Sequence, residues 1–170
     1  SPRARRAVLE EIAKRQPAKR LPVLLVELLN PGWRNLLVHT HLRKGTESSE
    51  WRDQLAIIDQ VHGQLIGTLK PKHPGFVNPD ELLRRIVESL NSISFDPAKR
   101  TPLLMKLSAA LVGDTAGLKA PVKYEDMPEG GMQKVLSFEG LLPELNPEAD
   151  SEDESVRRDS ARALTRARKI

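Results

Sequence analysis

Apolar residues along the chain recur at intervals of three and four, and no apolar/polar alternation persists for five residues. That rhythm predicts helices and argues against strands. Pro2 suits a first helical turn, and Val8, Leu9, Ile12 and Ala13 give the first helix one apolar face through about Arg15. A nearly continuous apolar run, Leu21 to Leu29, predicts a second helix over Ala18–Leu29 that is central to the core. Asn30-Pro31 reads as N-cap and first residue of a third helix carrying Trp33, Leu36, Leu37 and Leu42 and ending at Gly45. Ser48 opens a fourth helix, whose stripe Trp51, Leu55, Ile58, His62, Leu65, Leu69 has spacings 4, 3, 4, 3, 4. Lys70-Pro71 is expected to end it. Asn78-Pro79-Asp80-Glu81 is a strong start signal for a fifth helix burying Leu82, Leu83, Ile86, Val87 and Leu90. Phe95 falls in a connector, Asp96-Pro97 caps the next turn, and Leu103, Leu104, Leu107 and Leu111 line a sixth helix ended by Gly113. The expected fold is all-α, an irregular bundle of about six helices with short connections.

Charge divides the chain further. The 170 residues carry a net charge of +4, but this average hides three blocks. Residues 1–112 hold 18 basic and 11 acidic side chains, residues 113–155 hold 3 and 11, and residues 156–170 hold 6 and 1. The acidic block is also rich in glycine and proline and poor in β-branched and aromatic residues, a composition that offsets little of its ordering entropy. The expected organisation is a helical domain over 1–112, a disordered acidic linker over 113–152 and a basic helix over 153–170. The helix is opened by a capping-box pattern at Ser151–Glu154. Cysteine is absent, which excludes a disulfide scaffold and any cysteine-ligated metal. No apolar run is long enough for a membrane helix and no signal peptide opens the chain, so the expected location is cytoplasmic. The start at Ser1, without methionine, suggests a fragment or processed form.

The search for chemistry is nearly empty. His39 and His41 point about 200° apart on a helix and cannot share a metal. No nucleophile, phosphate cradle or ligand set stands at working spacing, so catalytic, cofactor and metal residues are all expected to be absent. His62 interrupts an apolar seam three residues after Asp59, which makes Asp59 and His62 a candidate buried polar pair. The expected structural core is Trp33, Leu37, Trp51, Leu55, Ile58, His62, Leu65, Leu83, Ile86 and Leu90. Basic clusters lie at both ends. Arg158, Arg162 and Arg166 are candidate anion contacts, and Arg158-x-x-x-Arg162 matches one half of a PilZ cyclic-di-GMP motif whose other half is missing. With aromatics at 4 % and none interleaved with the basic residues, nucleic acid is disfavoured as a partner, and a membrane surface is not favoured either.

The stretch from about Leu21 to Leu111 resembles the bacterial family catalogued as domain of unknown function 1631. The resemblance rests on Leu21-Pro22, Trp33 with Leu36-Leu37, and Gly45 with Ser48-Ser49 and Trp51. It continues through Leu55, Asp59, Pro71 and the connector Ile93-Ser94-Phe95-Asp96. It implies a helical protein whose homologous region is often followed by a PilZ-like segment, and sometimes by GGDEF and EAL domains. By that resemblance the chain is a non-enzymatic regulatory or interaction module of a larger bacterial signalling protein linked to cyclic-di-GMP. Its partner would be another protein or a downstream domain of its own polypeptide. Two alternatives stand beside this: a basic binding module for nucleic acid or anionic membrane, and a fragment of a diguanylate cyclase or phosphodiesterase with its catalytic domains elsewhere. No cofactor is expected.

Overall fold

The computed structural model describes residues 1–16, 20–112, 122–128 and 131–136. Helix α1 spans Pro2–Arg15, with Ser1 Oγ accepting from the Ala4 amide at 3.3 Å. Strand β1, Arg20–Pro22, precedes the short helix α2, Val23–Leu28. A wide turn over Leu29–Trp33 leads into α3, Arg34–Lys44. Helices α4 (Ser49–Ile66), α5 (Pro79–Leu90) and α6 (Pro97–Leu111) follow. Strand β2, Tyr124–Asp126, and a short helix α7, Gly131–Val135, complete the described chain.

Most helix boundaries follow local chemistry. Ser48 Oγ accepts from the Trp51 amide at 3.2 Å, Asn78 Oδ1 from Asp80 at 2.9 Å and Asp96 Oδ1 from Ala98 at 3.0 Å. Each oxygen satisfies one of the donors that a helix start leaves without a partner. Gly45 closes α3 at φ +77°.

Four expectations are corrected. The helix expected over Ala18–Leu29 begins only at Val23, because Leu21 precedes a proline and is pushed to extended backbone. Arg20–Pro22 pairs antiparallel with Tyr124–Asp126, so the fold is mainly helical with one small strand pair rather than all-α. Asn30 does not cap a helix: it is extended at φ −118°, ψ 107°, and its bond to Pro31 is cis. Helix α4 stops at Ile66 rather than at Lys70-Pro71. Gly67 adopts φ +85°, and both its amide and that of Leu69 donate to the Gly63 carbonyl at 3.0 Å. Leu69 therefore folds back over Gly63, where an added Cβ would stand 2.8 Å from the Leu69 Cβ. Glutamines of α4 pin the loop that follows: Gln64 Nε2 donates to the Val77 carbonyl at 2.7 Å, and Gln60 Oε1 accepts from the Val77 amide at 3.1 Å.

One continuous core joins these elements. Trp33, Leu37, Leu55, Ile58, Ile86 and Leu90 are buried in it with Leu25, Leu28, Leu103 and Leu107. Trp33 Nε1 donates to the Gln54 carbonyl at 2.9 Å, so its one polar atom is satisfied while the ring is fully covered. Trp51 and Leu65 are buried too, whereas Leu83 and His62 are half-buried. Helix α4 is the shared wall, packing on α1, α3, α5 and α6.

The linker expected over 113–152 is folded where it is described. Residues 124–126 extend the chain along β1, and the Val23 amide donates to the Lys123 carbonyl at 2.9 Å. Val122, Met127 and Val135 pack against the core, and Leu136 is fully buried in it. The physical reason is local: Val122, Met127, Val135 and Leu136 are apolar islands inside an acidic average, and they suffice to hold a strap. The basic helix expected over 153–170, with Arg158, Arg162 and Arg166, lies outside the described residues.

Candidate interaction surface

Helix α6 is apolar on two sides. Leu103, Leu107, Ala110 and Leu111 face the core. A second stripe, Ala98, Pro102, Met105, Ala109, Val112, recurs at spacings 4, 3, 4, 3 on the other side and is largely exposed. Met105 is 69 % and Val112 44 % exposed, and Met105 is the most exposed large hydrophobic among the described residues. A helix that is apolar all round is a buried helix or one with a partner still to come. That signal is present in the sequence of α6, but counting only the leucine face hides it.

The stripe runs into a cleft of about 280 Å³ between α6 and the wide turn, lined by Glu27, Asn30, Pro31, Phe95, Ala98, Lys99, Pro102, Leu103 and Lys106. Its floor is built by a close approach. Phe95 lies against Gly32 so tightly that a Cβ there would stand 3.1 Å from the Phe95 Cε2. The extended Asn30 and Pro31 form one wall. Asn30 Oδ1 is buried and has no hydrogen-bond partner among the described residues. Pro102, inside α6, lacks the amide that would bond the Ala98 carbonyl. Lys106 Nζ stands 3.7 Å from Glu27 Oε1, a loose contact between exposed side chains.

The ionisable side chains of the described residues pair at the surface, as where Arg84 and Arg85 reach Glu81 at 2.7 and 2.9 Å. His39 and His73 are exposed; His73 Nδ1 accepts from the Lys70 amide at 3.0 Å. His41 meets Trp51 edge-on, with ring centroids 5.5 Å apart. Among the described residues no group of histidines and acids could hold a metal ion. Asp59 and His62 do not form a buried pair. The Asp59 side chain is 56 % exposed and faces Arg15 Nε at 3.4 Å, tying α4 to α1. Burial holds His62 below its ordinary value, and the charge of Asp59 opposes that shift.

The N-terminal basic cluster is partly engaged. Lys14 and Arg15 reach Glu11 at 3.1 and 2.7 Å. Arg20 reaches Asp126 at 3.2 Å and lies over the Tyr124 ring. Arg3 and Arg6 are exposed.

Arg34 is the one functional-looking residue that sequence reasoning misses. It is fully buried, and Nη1 donates to the Leu136 carbonyl at 2.9 Å, across 102 positions of chain. Burial pulls its guanidinium down to about 9, with nearby Arg5 adding to the effect, so it remains charged at neutral pH. The available signal is its place about one helical turn before Leu37, on the core face of α3. It acts as a clasp for the strap.

The family described as protein of unknown function (DUF1631), third domain, matches residues 1–108. No curated protein and no solved structure matches the chain. No described helix is long and apolar enough to cross a membrane.

Proposed function

Because the chain belongs to the family of DUF1631 third domains, we propose that it is a non-enzymatic interaction module of a larger bacterial signalling protein. The observation that carries this reading is the exposed Met105–Val112 stripe of α6 opening into the Phe95 cleft. A contiguous apolar stripe left in water on one helix face is the kind of feature that marks a contact site. The link to cyclic-di-GMP, and work in the cytoplasm, are part of the proposal and rest on the residues that resemble the wider family. The test is to place Met105→Asp and Val112→Asp in the full-length protein and follow its cyclic-di-GMP-dependent output, alongside the thermal unfolding of the chain. Lost output with an unchanged midpoint supports the reading. Unchanged output, or turnover of cyclic-di-GMP by the chain itself, overturns it.

A further inference from the structure

We propose that the α6 face receives an acidic amphipathic helix of a partner protein, seated along the Ala98–Val112 stripe with one bulky apolar side chain in the Phe95 cleft. This rests on the interaction-module reading and adds the chemistry of the partner. The stripe repeats at 4, 3, 4, 3 over 14 residue steps, about 21 Å at the helical rise, which is the length of a four-turn partner. Helix-in-groove recognition places apolar anchors of the partner at the matching i, i+3/i+4, i+7 positions. The cleft beside it, floored by Phe95 and walled by Pro31 and Leu103, supplies the concave pocket that such an anchor needs.

Charge decides the occupant. Residues 97–112 carry Lys99, Arg100 and Lys106 and no acidic side chain. Arg100 is turned toward Asn91 Oδ1, and the one acid lining the cleft, Glu27, stands in loose contact with Lys106. Lys99 has no ion-pair partner among the described residues. A second copy docking face to face would bring two sets of these cations together, which repels. A helix with Asp and Glu along one edge of its apolar anchors would find opposite charge on the flank of the stripe that carries Lys99 and Lys106. Two exposed side chains and one cleft make a small surface, so the contact is transient and salt-sensitive.

The experiment uses the full 170-residue chain and three fluorescent four-turn peptides sharing one leucine face, with flanks of glutamate, glutamine or lysine. Binding is read by anisotropy at low and high salt. The glutamate peptide is expected to bind at least tenfold tighter than the glutamine peptide, with the advantage shrinking in high salt. Lys99→Glu with Lys106→Glu should reverse that order, and Met105→Ser with Val112→Ser should weaken all three peptides while leaving the unfolding midpoint in place. Equal binding of the three peptides overturns the acidic partner and leaves the interaction face standing. Concentration-dependent dimerisation lost in Met105→Ser assigns the face to a second copy, and binding of anionic phosphatidylserine vesicles instead of peptides assigns it to membrane. Either result overturns the proposal. No binding of any probe, with output unchanged in Met105→Asp, overturns both this inference and the reading beneath it.

Discussion

The domain has two apolar excesses, and they end differently. On the side of α1 and α3, the excess is covered by the chain's own strap, with Leu136 at 0 % exposure and Arg34 clasping its carbonyl. On α6, Met105 stays 69 % exposed and nothing in the described chain reaches it. The first face is therefore spent on folding and the second is left for contact. The matched family stretch, residues 1–108, contains most of the open face but not the strap that closes the other. An apolar stripe alone does not tell the two apart; what decides is whether a later segment of the same chain returns to it.

The largest effect should come from the closed face. Leu136→Ala is expected to lower the unfolding free energy by ~2–5 kcal/mol, the usual cost of truncating a fully buried leucine. An unfolding free energy from urea titration within ~0.5 kcal/mol of the parent would mean that the strap covers nothing, and the contrast would collapse. Next comes the wall that both faces share. Ser48→Ala removes the cap of α4 and should cost about 1 kcal/mol, read as one cooperative transition by both circular dichroism and tryptophan fluorescence. Two separate transitions would show that the faces belong to different cooperative units.

A smaller, conditional effect belongs to His62. Its folded form holds the proton less tightly than the unfolded chain, so stability is full above about pH 6.5 and falls as pH drops through that value. His62→Gln should flatten this fall in the thermal midpoint; an unaltered slope would place the titration elsewhere. The smallest effect is predicted at the open face, where Met105→Ser and Val112→Ser together should stay within ~0.5 kcal/mol of the parent. A loss of several kcal/mol would reveal a cover on α6 within the chain.

How much of this was legible follows from the range of the interactions involved. The caps Ser48, Asn78 and Asp96 bond amides two or three residues away, so a short window of sequence contains both partners. Trp33 and Trp51 announce themselves by size and by their place on helical apolar faces. At Leu21 helical periodicity points one way and the proline that follows points the other, and the proline decides the backbone. Asn30 is ambiguous in sequence because Asn-Pro has two uses, a helix cap and an extended turn, and the packing of Gly32 against Phe95 belongs to residues 63 positions apart. Arg34 and the strap were invisible for the same reason at greater length, since an acidic average conceals four apolar residues that matter only once the chain has folded back. The α6 stripe is legible in the sequence, but the opposite leucine face is by itself enough to account for a helix there.

The clasp between Arg34 and Leu136 also sets an order of events at the ribosome. Its partners are separated by 102 residues, and at synthesis rates of roughly 5–20 residues per second that is a wait of about 5–20 s. Throughout that interval the nascent chain holds an arginine destined for the interior and a pair of helices whose lid has not been made. Among the described residues, strand β2 and helix α7 thus close that side of the domain only after α1 to α6 have been made.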